Sequence, residues 1–397
     1  QPANPDQPPG SETPPYSPHL PLANQPDPLT KTDLPTEPPL PTAQPTATET
    51  TAPPTAEPPL PFRARNVILF IGDGMGFEQV KAAGMYLHGA AGELSLERFP
   101  YQAEMTTHAA GGELTDSASA STAMATGQKV SPGVIGLALP GDGRELYTLL
   151  EYARDHGLST GLVTTTPITH ATPAGFGAHA ASRTLVEEIA ADYLNQTRPN
   201  LLLGGGGDGI DPGAASQAGY TVVTSWESFM ALDTESITYL SGQFGEGSFP
   251  FAIDGLGSRP RLWEMTAVAL SILDNDPDGL FVVIESGLID YAAHYNNLEA
   301  LVGEMLELDR AVSTALDWAT NHPDTLILVT ADHETGGLSV LQSNGQGSLP
   351  GVSWSTTGHT PVNVPVYLFG PLVENFPGVL DSTDLPGLLS GGKFAQP

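Results

Sequence analysis

Carboxylates and imidazoles recur in this chain directly after apolar, β-branched runs. Asp73 lies in NVILFIGDGMG, Glu285, Asp290 and His294 in LFVVIESGLIDYAAH, and Asp332 and His333 in TLILVTADHETGG. His359 follows in TTGHT. A single acidic residue after a strand is ordinarily a loop or helix cap. Several of them at one sheet edge suit a multi-metal site. Asp290 and His294 are four apart, so a helix there would put both on one face. That spacing is also common on plain surfaces. Asp332 and His333 are neighbours and reach one ion only across a turn. His359 sits in a polar loop, where a histidine is more often simply exposed.

Ser117 begins a run of small residues in LTDSASASTAMATG. The run predicts a helix over 117–126 with little bulk at its start. Free N–H groups and the positive end of the helix dipole would stabilise a serine alkoxide and an incoming phosphate. The competing reading is that Asp116 or Ser117 only caps the helix. A serine hydroxyl needs a base or a metal to become nucleophilic. No G-x-S-x-G signature is present, which favours metal activation. Arg183, after HAAS, is predicted to open a helix. Its guanidinium suits a phosphate clamp because it grips two oxygens at once; in isolation it would be a surface ion pair.

Composition narrows the classes. The chain has 397 residues, 40% of them apolar, with 45 acidic and 14 basic side chains and a net charge of −31. Nucleic acid and anionic membrane need positive footprints and are disfavoured as partners. No apolar run is long enough for a transmembrane helix. There is no cysteine, so disulfides, thiolate zinc sites and a cysteine nucleophile are excluded. Any metal must sit among Asp, Glu, His and hydroxyl ligands. The start at Gln1, with neither an initiator Met nor a hydrophobic leader, fits either a trimmed start or a removed export signal.

Residues 1–61 are rich in Pro, Thr, Ala and acidic side chains and hold 20 of the 38 prolines. They read as an extended spacer, either a stalk or a tail with no partner. Residues 62–397 read as one catalytic domain. Strands are expected at 66–71, 159–165, 200–205, 280–285, 325–330 and 364–370. Helices are expected at 117–126, 145–156, 182–195, 261–274 and 298–321. The strands are nearly continuous in apolar character, which suits a sheet buried on both faces. The fold class is therefore α/β: a doubly wound, mainly parallel central sheet with helices on both faces. Residues 338–358, polar and turn-rich, read as a small crown-like or lid insertion. Ligands of such sheets bind beyond the carboxyl ends of the strands, where these polar residues, with His170 and Thr172 after 159–165, repeatedly fall.

Six segments resemble, in order, signature segments of the alkaline phosphatases: NVILFIGDGMG, LTDSASASTAMATG, THATPAGFGAHAASR, VVIESGLIDYAAH, TADHETGG and TTGHT. The resemblance spans about 64–372. It implies a phosphomonoesterase with two Zn2+ and one Mg2+. Ser117 would be the nucleophile forming a phosphoserine. Asp290, His294 and His359 would hold one zinc, and Asp73, Asp332, His333 and Ser117 the second. Asp73, Thr172 and Glu285 would hold the magnesium-type ion. Arg183 would bind phosphate, oriented by Asp116. The implied mechanism is an in-line double displacement. His170 and Tyr291 stand where the best-known enterobacterial pattern has Asp and Lys. Both would lie near phosphate and the third ion, leaving that ion's identity open. Small phosphate monoesters are the implied substrates and an extracytoplasmic location is expected; the short insertion leaves a homodimer open.

The rivals are sister enzymes or a stalked, non-catalytic binder of metal or phosphate. A sulfatase needs a C/S-x-P-x-R context, whereas Ser117 is followed by Ala-Ser-Ala. Diesterases of this kind often use Thr and lack the clamp. A dead relative would be expected to have lost Ser117 or a ligand.

Overall fold

The computed structural model describes residues 60–371 and 373–397; all but the last two residues of the Pro-rich segment at 1–61 lie outside it. Among the described residues fourteen strands run as β1 Asn66–Gly72, β2 Tyr101–Thr106, β3 Ser159–Pro167, β4 Leu201–Gly206, β5 Thr221–Val223, β6 Leu240–Glu246, β7 Leu280–Ser286, β8 Thr325–Thr330, β9 Glu334–Thr335, β10 Leu338–Gln342, β11 Gly351–Trp354, β12 His359–Thr360, β13 Val364–Phe369 and β14 Val379–Asp381. Ten form one sheet in the order β14-β2-β13-β8-β1-β7-β3-β4-β6-β5. Only β13 opposes its neighbours, β8 and β2. Every residue of β1, β3, β4, β7 and β8 is buried. That is the two-sided burial their apolar runs demand.

The helices are α1 Phe77–His88, α2 Ser117–Thr126, α3 Leu149–Asp155, α4 Ala171–Gly177, α5 Val186–Asp192, α6 Pro212–Gln217, α7 Trp226–Met230, α8 Leu262–Leu273, α9 Leu288–His294, α10 Leu298–Ala319 and α11 Leu385–Leu389. One layer packs α1, α8 and α10 together, and another packs α2, α3 and α4. The long α10 buries Leu301, Met305, Leu308 and Val312 at helical spacing, the stripe expected of a core-facing helix. The doubly wound class expected from sequence is the one observed.

Two helix starts differ from expectation. The helix expected at 145–156 begins at Leu149. Thr148 caps it, accepting from the Glu151 amide while Glu151 Oε2 accepts from the Thr148 amide. Leu146 lies before the helix, its N–H bonded to the Gly136 carbonyl. The helix expected at 182–195 begins only at Val186, so Arg183 does not open a helix but lies in the loop before it. Its N–H donates to the Gly133 carbonyl, and Ala180 bridges Ile135. Within 338–358, β10 and β11 pair as an antiparallel hairpin.

His179 anchors this loop. Its side chain is 2% exposed between Glu151 and Asp192, with Nε2 3.6 Å from Glu151 Oε2 and Nδ1 3.5 Å from Asp192 Oδ2. Burial alone would push the imidazole down, but the two carboxylates and the Leu146 carbonyl outweigh it and raise it to about 10. A raised histidine stabilises fully below its unfolded value, near 6.5, and loses that contribution as pH rises through about 10. His179→Gln should therefore cost roughly 3–5 kcal/mol near neutrality, because it strands the buried Glu151 carboxylate beside the half-buried Asp192. The melting-temperature gap between wild type and variant should narrow as pH rises from about 6 towards 10; a constant gap would show that the charge contributes nothing.

Candidate metal and phosphate site

Strand register levels the site. Ile71 of β1 lies opposite both Glu285 of β7 and Thr330 of β8, and Thr164 of β3 also pairs with Glu285. The carboxyl ends of four parallel strands therefore finish together, and the residues just beyond them share one edge. Asp73 follows β1, Asp332 and His333 follow β8, and Glu285 is the last residue but one of β7, with α9 beginning at Leu288 just beyond it. Gly74 lets the chain turn at φ 72°, where a Cβ would stand 2.9 Å from the Asp290 backbone. Its N–H donates to Asp332 Oδ1 at 3.1 Å.

Three groups of potential ligands result, each with one donor atom per residue within 4.8 Å of the others: Asp290, His294 and His359; Asp73, Asp332 and His333; and Asp73, Glu285 and His170. α9 places Asp290 and His294 one turn apart, with His294 Nε2 3.2 Å from Asp290 Oδ2. His359 arrives on the two-residue strand β12, paired with β9, and is half-buried rather than loose. Its Nε2 lies 3.7 Å from Asp290 Oδ1. Backbone carbonyls set two of the tautomers. His294 Nδ1 donates to Thr357 O at 2.5 Å and His359 Nδ1 to Thr115 O at 2.9 Å. Both Nε2 atoms thus carry lone pairs, and a carbonyl behind a ligating histidine raises its basicity.

Ser117 is the first residue of α2 and is 1% exposed. Its hydroxyl lies 3.4 Å from both Asp73 Oδ2 and His333 Nε2. Asp116 serves as cap and partner at once. Oδ1 accepts from the Ser119 and Gly133 amides, while Oδ2 accepts from Arg183 Nη1 at 3.2 Å. Burial acts to raise this carboxyl, but Arg183 and the amides hold it below its ordinary value. Arg183, itself buried, also donates through Nη2 to His170 Nε2 at 2.9 Å. His170 must accept there, so its proton sits on Nδ1. Burial and the Arg183 cation push it down to about 3, which keeps it neutral. Tyr291 packs edge-on to His170, ring centroids 6.3 Å apart, and burial raises its hydroxyl to about 12. Thr172 lies in the first turn of α4, with its hydroxyl beside Glu285.

The donor set calls for cations. Asp73, Glu285, Asp290 and Asp332 are each at most 1% exposed, and clustered buried carboxylates are costly unless compensated. Burial raises Glu285 to about 7 and, with the nearby Asp290 charge, Asp332 to about 6. Asp290 goes the other way: burial is outweighed by the His294, His359 and His333 imidazoles packed around it, which hold its carboxyl below the ordinary range. Glu285 Oε1 and Asp332 Oδ2 are buried oxygens that accept no hydrogen bond. Carboxylate and imidazole lone pairs aimed into a shared space fit divalent ions.

Sequence reading missed the threonines that aim these ligands. Thr164 and Thr166 hydroxyls donate to Glu285 Oε2, and Thr335 donates to Asp290 Oδ1. Only the period-two spacing of Thr164 and Thr166 on β3 hints at a shared face.

A family model described as alkaline phosphatase matches residues 64–349. Alkaline phosphatase 3 of Bacillus subtilis (strain 168) is 30% identical over 81% of this chain and 87% of its own length. Among solved structures, the cold-active alkaline phosphatase from the psychrophile Shewanella sp. superposes with a TM-score of 0.75 at 27% identity, covering 83% of this chain and all of that one (100%). A histidine-to-aspartate mutant of the TAB5 alkaline phosphatase, with Mg bound in its M3 site, superposes at 0.73 with 30% identity, covering 85% and 100%.

Proposed function

Because the chain belongs to the alkaline phosphatase family and is a metal-binding phosphoric monoester hydrolase, we propose that it works through a phosphoserine on Ser117 at a two-zinc, one-magnesium centre. The observation that carries this reading is the position of the Ser117 hydroxyl. It lies at a helix start, between Asp73 and His333, beside the Asp116–Arg183 pair. Asp290, His294 and His359 would hold one zinc; Asp73, Asp332, His333 and the Ser117 oxygen the other. Asp73, Glu285 and Thr172 would hold magnesium. While His170 Nε2 accepts from Arg183, that nitrogen is not a ligand. When bound, the ions lower the pKa of the serine hydroxyl and of water and neutralise charge on phosphate oxygens.

The remaining steps belong to the chain. The N-terminus of α2 directs Ser117 at phosphorus and offers partial positive charge to the transferring group. The Ser117 oxygen forms the new P–O bond as the ester oxygen leaves with its electron pair. Arg183 orients the non-bridging oxygens, and Asp116 fixes its fork. One water must still reach the esterified serine, because its attack at phosphorus breaks the Ser117 P–O bond, restores the hydroxyl and releases inorganic phosphate. Among the described residues no helix is long and apolar enough to cross a membrane. We place the activity outside the cytoplasm, as expected from the family resemblance.

The test is hydrolysis of a chromogenic aryl phosphate against the matching bis-aryl diester, with zinc plus magnesium. Monoester turnover should exceed diester turnover by at least about 100-fold, since Arg183 is built to pair with a dianionic terminal phosphate. A dominant diester rate would move the assignment to the sister enzymes.

A further inference from the structure

We infer that Glu334 is a positioning residue that holds His359 in register with the ligands on the neighbouring segments, an inference that rests on the zinc reading above. Glu334 follows His333 and is 4% exposed. Its carboxylate touches none of the clustered ligand atoms. It gathers neutral donors from three separate segments. Gln79 Nε2 donates to Oε1 at 2.6 Å; the Gly337 amide donates to Oε2 at 3.2 Å and the Leu338 amide to Oε1 at 3.3 Å. The Thr360 hydroxyl also donates to Oε2.

Each partner sits close in sequence to a ligand. Thr360 follows His359, and β12 meets β9 through only two pairs, His359 with Thr335 and Thr360 with Glu334. So short a ladder cannot fix an imidazole by itself. The Glu334–Thr360 bond ties the strand's second residue by its side chain as well. On the other side, Gln79 is fully buried, donates also to Thr335 O at 2.9 Å, and accepts from the Gly76 amide at 3.1 Å. Gly76 belongs to the turn that begins at Asp73, and the Thr335 amide returns to Gly74 O. One carboxylate thus joins the Asp73 turn, the His333 segment and the His359 strand.

Gly76 carries a second trace of the same device. Its φ of −95° and ψ of 179° suit any residue, so the backbone does not require glycine. Space does: a Cβ there would lie 2.5 Å from Glu334 Cγ and 2.7 Å from Gln79 Oε1. The side chain that glycine makes room for is Glu334.

The test loads wild type, Glu334→Ala, Gly76→Ala, their double variant and Thr360→Val with zinc. Release to a chromophoric chelator is then followed with its stoichiometry. Glu334→Ala should release one of two zinc ions about 10- to 100-fold more readily, the usual effect of losing a group behind a ligand, while the other is held as in wild type. Thr360→Val keeps the β-branched strand residue, removes a single bond, and should weaken the same ion. Gly76→Ala should do so in the wild-type background and add less than its full effect once Glu334 is gone, because the closest atom it meets, Glu334 Cγ, is then absent and the Gln79 side chain is free to yield. Wild-type release from every variant, or full additivity of Gly76→Ala and Glu334→Ala, overturns the inference alone. A wild type that takes up no zinc overturns the zinc reading and this inference with it.

Discussion

Ser117→Ala should reduce monoester turnover by at least about 1,000-fold, since removal of a nucleophile forfeits the covalent route and leaves only positioning and electrostatics. The helix should be undisturbed. Asp116, not Ser117, accepts the capping bond from the Ser119 amide, and alanine is a better helix former. Metal uptake should persist through the remaining ligands, so melting temperature with ions present should stay within a few degrees of wild type (~1 kcal/mol or less). Acid quench after mixing with labelled monoester should trap phosphoprotein in wild type and none in the variant. Undiminished turnover, or label retained without the hydroxyl, would eliminate Ser117 as the nucleophile.

Removing the ions should have the second large effect, and its pH dependence has a definite sign. Without metal, Glu285 titrates near 7 and Asp332 near 6, above the ~4 of the unfolded chain. Between those limits the folded state binds more protons than the unfolded one, so stability falls as pH rises from about 4 to 7. The two groups together contribute on the order of a few kcal/mol. Asp290, held low, works the other way, and its contribution is lost only on acidification below the ordinary carboxylate range. With ions bound the slope should reverse, because metal competes with protons and binds more tightly as pH rises. Calorimetric melting of chelated and metal-loaded protein at about pH 5, 6, 7 and 8 would show two trends of opposite sign. Parallel trends would mean that these carboxylates are not the ion site.

How far the sequence spoke depended on the physics of each part. The central strands were legible because two-sided burial writes a continuous apolar run, as in NVILFI or TLILVT. The strand Tyr101–Thr106 was not, since its residues are mostly half-buried near the sheet margin and its sequence mixes polar and apolar positions. Asp73, Glu285 and Asp332 were legible as strand-end residues. The register that levels them was not, because pairing across more than 200 residues leaves no local mark. Arg183 was recognisable by chemistry and misplaced by structure. A run such as SRTLVEEIA has helical character from its start, and long-range contacts such as the bond of the Arg183 amide to the Gly133 carbonyl hold its first residues out of the helix. Thr335 carried no signal, and Thr164 and Thr166 only their period-two spacing, for threonine in or near a strand needs no special reason.

The residues of the first and last ligand segments, Asp73 and His359, stand 286 positions apart (359 − 73). Loops of that span close late, after local structure has formed. A growing chain therefore holds an acidic, incomplete cavity until His359 has been made, and can present all three ligand groups only after that. An ion met earlier finds at most two of the three groups. The same geometry means that any fragment that stops between His333 and His359 lacks one ligand group and keeps the other two.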